Sequence, residues 1–177
     1  MPSRTSRSTS GTIRVRDLSF RRKGRRVQCD SGDRPVELRS VGADPGTPGP
    51  AAPGGLYFGT TSSVFRGRVA PIALRVNAAG TRVSGTLFGA ALSCPGVTEY
   101  LANISPPMTI RTDGTFRKTE KFTTRFRNAT DRTTILVKGR FTAAGATGTV
   151  RVTQKSRFRS GVRTTCRSGA VSWNAVR

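Results

Sequence analysis

The last twelve residues, Cys166 to Arg177, read CRSGAVSWNAVR. After the Ser168-Gly169 pair, Val171, Trp173 and Ala175 fall at alternate positions. Successive side chains of a strand point to opposite sides, so a period of two marks a strand with one buried face. The only tryptophan of the chain stands in the middle of that face, and this strand is therefore expected to close a core. Cys166 precedes it, and Cys94 ends another strand-like run far upstream. The region from Gly55 onward is expected to be a β-domain organised around this closing strand.

Working back from the end, the same period recurs. Ile135, Val137, Gly139 and Phe141 alternate, Ala143-Ala144-Gly145 offers a turn, and Gly148, Val150 and Val152 return. That is a hairpin signature. A second lies at Ile72, Leu74 and Val76, turned by Asn77-Ala78-Ala79-Gly80 and answered by Val83 and Leu87. Leu56–Thr61 reads as a strand ending in a Thr/Ser turn, Ala90–Cys94 continues or bends the preceding run, and Val97–Ile104 suits a strand or a short helical turn. Lys155–Gly161 is expected to be a basic loop, and Val162–Cys166 with Ala170–Val176 a final hairpin over Arg167-Ser168-Gly169. Eight or nine short strands with regular turns predict an all-β fold, a single antiparallel β-sandwich or β-barrel with mostly meander connections. The first and last strands are expected to meet, because a covered edge avoids edge-to-edge association.

Upstream the pattern fades. Gly42 to Gly55, GADPGTPGPAAPGG, has the composition of a linker, and the domain boundary is placed there. Residues 1–41 are expected to be a basic N-terminal arm, largely disordered or holding remnant strands at Thr12–Val15, Val27–Cys29 and Val36–Leu38. Residues 56–177 form the β-domain.

The chain of 177 residues carries 31 Lys and Arg against 9 Asp and Glu, a net charge of +22, and 26 of the 31 are Arg. Residues 1–41 contribute +7 and residues 56–177 contribute +16, with Asp44 between them. Along the sequence this charge is scattered over most strands, as solvated faces would have it. The sharper reading is a polyanion-binding surface that works by counterion release. Its candidates are Arg21, Arg22, Lys23, Arg25 and Arg26, the densest basic run, and Arg117, Lys118, Lys121, Arg125 and Arg127, which interleave with Phe116, Phe122 and Phe126. Basic side chains beside exposed aromatics grip single-stranded nucleic acid. The plainer alternative puts the three phenyl rings in the core and the basic side chains outside. Tyr57 and Trp173 are likewise expected in the core rather than in a ligand pocket.

Histidine is absent, which removes the commonest general base and the commonest metal ligand together. Cys29, Cys94 and Cys166 form no CxxC pair, so no metal site is expected. Cys94 and Cys166 are either joined or two buried free thiols. Glu99 and Glu120 are the only carboxylate pair that suggested glycosidase chemistry, and any two carboxylates would do so. No catalytic residue and no cofactor is expected. No apolar run approaches the roughly 18 residues of a membrane span, and Met1–Gly11 lacks the apolar segment of a secretory signal.

Several short motifs resemble one family in their order. They are Leu56–Thr61 (LYFGTT), Gly139-Arg140-Phe141, Ala146–Arg151 (ATGTVR), and Cys166-Arg167-Ser168-Gly169 leading to Trp173-Asn174-Ala175. The family is one of uncharacterised β-rich domains from secreted or cell-wall proteins of actinobacteria, and the resemblance covers residues 55–177 alone. It implies a secreted β-domain, Cys94 paired with Cys166, and no catalytic residues. The lack of a leader departs from it, and the start is expected to be truncated or miscalled. The expected function is thus a non-enzymatic, secreted or cell-surface binding or structural module for an anionic envelope polymer. The alternative is an intracellular β-barrel that binds nucleic acid or another polyanion.

Overall fold

The computed structural model describes residues 48–177 except Ala144, and four strands upstream of them. The chain divides into two compact units, residues 1–42 and 43–177. In the first, β1 (Ser8–Ile13) pairs antiparallel with β4 (Arg34–Arg39), and β2 (Leu18–Arg22) with β3 (Arg25–Cys29). β3 and β4 contain the alternations at Val27–Cys29 and Val36–Leu38, while β1 takes in only Thr12 and Ile13 of the stretch Thr12–Val15, the rest of which lies outside the described residues. β2 is not among those stretches, and its end carries the start of the basic run Arg21–Arg26. The expectation of disorder for the rest of the arm falls outside the described residues.

The second unit holds β5 (Leu56–Phe65), β6 (Arg68–Val76), β7 (Arg82–Cys94), β8 (Val97–Ser105) and β9 (Met108–Thr109). Then follow β10 (Thr115–Arg125), β11 (Ala129–Thr142), β12 (Gly145–Phe158), β13 (Arg163–Arg167) and β14 (Val171–Val176). All pairing is antiparallel. The ladder runs β10-β11-β12-β13-β7-β6-β5-β14, and β14 returns to β12, so the sheet closes into a barrel; β8 and β9 pair with the far edge of β7. The fold class read from the sequence is therefore correct, and of the two architectures it is the barrel. Among the described residues no helix is long and apolar enough to cross a membrane.

One cross-strand row shows why this sequence closes. Phe116 of β10 pairs with Gly139 of β11, Gly139 with Gly148 of β12, Gly148 with Trp173 of β14, and Trp173 with Thr61 of β5. The two glycines leave room inside the barrel, and the Phe116 and Trp173 rings fill it, stacked with centroids 6.2 Å apart. Phe141 continues the cluster, 5.3 Å from Phe116 and 5.1 Å from Tyr57. Trp173 is 1 % exposed, which confirms the closing strand as the centre of the core. Its indole Nε1 is buried without a hydrogen-bond partner.

Two expected turns proved to be bulges. β13 and β14 are not a hairpin. Both run antiparallel along one edge of β12, and Ser168–Ala170 stand opposite Arg151 and Val152, three residues against two. Ser168 holds this bulge, since its N–H donates to the Val152 carbonyl and its Oγ accepts from the Val152 N–H at 2.9 Å. A hydroxyl thus replaces a ladder carbonyl, and the strand continues past the extra residue. At Thr61-Ser62-Ser63 the register of β5 against β6 also shifts. Ser63 Oγ accepts from Ala91 N of β7 at 2.7 Å, and Ser62 Oγ accepts from Ser172 N of β14 at 3.0 Å. These hydroxyls seal the barrel where the ladder thins, for β7 and β13 share only the pair Arg167–Ser93. The Cys94–Cys166 disulfide lies next to that pair, with Cα atoms 4.3 Å apart.

The linker composition proved partly misleading. Pro48–Gly55 lies against the barrel, with Gly49 N donating to Phe141 O at 3.2 Å, Ala51 buried, and Ala52 N donating to Tyr57 Oη at 2.9 Å. Small side chains are what such close backbone contact requires.

Candidate polyanion-binding face

Strands β10 to β12 are long, and each alternates strictly. Phe116, Ile135, Val137, Val150 and Val152 turn inward to the core, so the residues between them turn outward. The outward basic side chains are Arg117, Lys121 and Arg125 on β10, and Arg132, Lys138 and Arg140 on β11. β12 adds Arg151, Lys155 and Arg157, and β13 adds Arg163 and Arg167. All eleven are exposed. The other outward positions of these strands are ten threonines, of which Thr142 is buried, with Leu136 and Gly145 and no Asp or Glu. With strands about 4.8 Å apart and about 3.3 Å rise per residue, the face measures about 14 by 33 Å.

The charge that looked scattered along the chain is therefore gathered by the sheet. Eleven of the twenty basic residues of 56–177 lie on one face. Arg117 stands directly opposite Lys138, Arg132 opposite Lys155, and Arg157 opposite Arg163. Like charges directly opposite across a ladder are destabilising, and here three such pairs share one face. Two open hollows lie along it. One of about 360 Å³ sits over the backbone of Gly139 and Gly148 between Arg117, Lys138 and Arg140. The other, of about 340 Å³, lies between Lys121, Arg132 and Lys155.

The carboxylates are directed elsewhere. Glu120 accepts from Asn103 Nδ2 at 3.3 Å and Asp131 from Gln154 Nε2 at 3.0 Å, both on the inward parity of their strands. Asp113 occupies the turn before β10 and accepts from Thr115 Oγ1 at 2.7 Å and from Thr115 N at 3.0 Å. The Thr115 hydroxyl, then its backbone N–H, and a smaller contribution from the nearby Arg111 charge hold the Asp113 carboxyl below its ordinary value of 3.8. A depressed folded value contributes stability above pH 3.8 that is lost as the pH falls through the folded value. An NMR titration is expected to place the Asp113 midpoint below 3.8, and Thr115→Val to raise it; an unchanged midpoint in the variant would remove the hydroxyl as the cause.

The sequence-level candidates divide accordingly. Arg117, Lys121 and Arg125 belong to the face. Lys118 does not, because it sits on the inward parity and its Nζ donates to the Pro107 carbonyl at 3.0 Å. Arg127 lies in the turn after β10. Arg21, Arg22, Arg25 and Arg26 sit at the closed end of the β2–β3 hairpin, with Arg21 opposite Arg26 and Arg22 opposite Arg25, and Lys23 is outside the described residues. The reading missed Arg132, Lys138, Arg140, Arg151, Lys155, Arg157, Arg163 and Arg167. Parity within the clearest predicted hairpin finds three of them, Lys138, Arg140 and Arg151; Lys155 and Arg157 lie in the stretch expected to be a basic loop, which instead continues β12.

Of the interleaved aromatics, Phe116 is core and Phe122 packs against the core, while Phe126 is 59 % exposed, against the expectation that all three are buried. None of them belongs to the basic face. Glu99 approaches the two cysteines, with a carboxylate oxygen and both sulfurs within 4.8 Å of one another. Sulfurs joined to each other offer no thiolate to a metal.

The outside of β5 to β8 has different chemistry. Val176, Phe58, Ala73, Leu87 and Ile104 follow one another in a single cross-strand row, so the barrel presents a basic wall and an apolar one. No family model matches the chain, and no curated protein or solved structure matches it.

Proposed function

We propose that this protein is a non-enzymatic binding module that holds an anionic polymer against the outer face of β10–β13. The observation that carries the reading is the set of three like-charge pairs on a face without a carboxylate. A solvated surface gains nothing from that arrangement, whereas a bound polyanion neutralises it and releases counterions. Threonine hydroxyls between the cations add uncharged donors and acceptors for the polymer backbone.

The polymer best suited is an anionic polysaccharide or polyol phosphate of the cell envelope. The face carries no aromatic side chain, so it has nothing on which to stack bases. The Cys94–Cys166 disulfide is compatible with an oxidising compartment, and the family resemblance points the same way. Nucleic acid binding in the cell is the second reading, supported by the same charge.

Binding of the full chain to a soluble polyol phosphate and to an oligothymidine of matched charge, over a salt series, tests this. The quadruple variant Arg117→Gln, Lys138→Gln, Arg132→Gln, Lys155→Gln is expected to lose at least about tenfold in affinity for the polyol phosphate, with a salt slope shallower by up to about one per charge removed. Its thermal stability is expected to stay level or rise, because two repulsive pairs are gone. Unchanged affinity in the variant would leave these cations as ordinary solvated side chains, and a clear preference for the oligonucleotide would favour the nucleic acid reading.

A further inference from the structure

The tripeptide Arg-Phe-Arg occurs twice, at Arg125–Arg127 and at Arg157–Arg159. The first closes the β10–β11 hairpin and the second the β12–β13 hairpin, and the two tips are joined by a hydrogen bond from Arg159 N to Asn128 O at 2.9 Å. Phe126 is 59 % exposed, Phe158 39 %, and Val162, in the second turn, 56 %. The two phenyls line one open hollow of about 440 Å³ together with Arg125, Arg127, Arg157 and Arg159. No Asp or Glu occurs in residues 125–130 or 157–163.

Both phenyls have the inward parity of their strands and would be core residues if the barrel wall continued opposite them. It does not. β7 ends at Cys94, which is bonded to Cys166, and Cys166 is level with Gln154, Thr133 and Phe122. Beyond that row β10–β13 overhang the barrel, and the overhang ends in the two Arg-Phe-Arg tips. The antiparallel order places the β5–β6 turn at the same end, and there too a phenyl and a guanidinium adjoin, with Arg66 5.3 Å from the Phe65 centroid.

We propose that these tips are a membrane-docking wedge that inserts Phe126, Phe158 and Val162 among the headgroups of an anionic lipid bilayer. Exposed apolar groups on protruding turns, ringed by guanidinium groups and free of carboxylates, match a surface that is negative at its headgroups and apolar just beneath. Arginine stems remain beside apolar surface while their charged ends reach phosphates. A soluble polyanion would satisfy the guanidinium groups and leave the phenyls in water. Stacking of bases needs rings laid along the charged groove, and these rings lie off that face, at its end. Arg125 and Arg157 are shared with the polymer reading, but Phe126, Phe158, Val162, Arg127 and Arg159 belong to the tips alone and only membrane docking needs a bilayer, so the two can fail separately.

Flotation of the full chain with vesicles of phosphatidylcholine alone, and of phosphatidylcholine mixed with phosphatidylglycerol, tests it. Binding is expected with the anionic vesicles only. Phe126→Ser with Phe158→Ser is expected to weaken it by at least about tenfold, since exposed rings can lose their share of apolar transfer without disturbing the core. Arg127→Gln with Arg159→Gln should weaken it as well. The phenylalanine variant should keep its melting temperature and its affinity for the soluble polyol phosphate, which separates failure here from failure of the polymer reading. Absence of vesicle binding by the unaltered chain overturns the proposal, as does binding that survives loss of both phenyls. So does a loss that appears equally with a single-stranded oligonucleotide, because the rings would then be stacking bases.

Discussion

Gly148→Ala is expected to destabilise the barrel by about 3 kcal/mol, near the upper end of ordinary overpacking, and to lower the melting temperature by roughly 10 °C. A methyl group at 148 would overlap the backbone oxygen of Lys138 and stand 2.5 Å from Trp173 Cζ2. The oxygen belongs to a ladder strand and cannot move without breaking the sheet. The atoms nearest to a methyl group at 139 are ring carbons, of Phe116 and, at 2.7 Å, Trp173 Cζ2, so Gly139→Ala should cost less. Trp173→Phe added to each variant distinguishes the two. The smaller ring should recover part of the loss at 139 and little of it at 148, where the backbone remains in the way. Urea melts that place Gly148→Ala within about 0.5 kcal/mol of the parent, the range of neutral surface changes, would mean that the glycine pair does not make room for the rings.

Removing the disulfide is expected to have a comparable or larger effect. The bond joins residues 72 apart in sequence, and the loss of chain entropy in the unfolded state is worth about 4 kcal/mol for a loop of that length. The location makes the loss local as well. β7 and β13 share one ladder pair, Arg167–Ser93, so the seam beside the disulfide has little backbone bonding of its own. Cys94→Ala with Cys166→Ala, or the parent under reductant, should show a lower denaturation midpoint. Amides of β13 and of the end of β7 should exchange before those of β11 and β12. Equal stability in oxidised and reduced forms would show that the hydroxyls of Ser62 and Ser63 suffice for the seam. Peptide mapping without reduction, on protein from its native host, extends the same test to compartment. A crosslinked Cys94–Cys166 peptide outside the membrane is expected, and capped thiols in a cytosolic fraction would remove the secreted reading.

Much of the barrel was legible because its strands alternate. The Asn77–Gly80 hairpin and the β11–β12 hairpin lie where turn residues interrupt a period of two. Trp173 was read correctly as core because it sits on that period. The errors share one cause. Ser168-Gly169 and Thr61-Ser62-Ser63 have turn composition, and hydroxyls that can close a turn can equally replace a ladder carbonyl in a bulge. Which of the two occurs depends on the neighbouring strand, as Val152 and Ala91 show. Likewise Lys155–Phe158 read as loop because of its charge, although it continues β12.

The candidate face was less legible. Arg117, Lys121 and Arg125 were identified from one strand, but for the presence of nearby phenyls, and Lys118 was included although its side chain turns the other way. Those phenyls do not serve the face. One is core, one packs on the core, and one stands at the tip of the overhang.

By itself the sequence determined the side of the sheet on which each residue of a strand would fall, the strand that would close the core, and a surplus of positive charge. These are local properties, set by the alternation of side chains along one strand and by composition. The tertiary structure alone decided that Arg117 meets Lys138, that Arg132 meets Lys155, and that two Arg-Phe-Arg tips adjoin beyond the last row the barrel covers. Each of these depends on the register between strands far apart in the chain and on where the opposite wall ends. A one-residue slip in register would turn every side chain to the other face, so charge spread along the chain becomes a surface only once the partners of each strand are set.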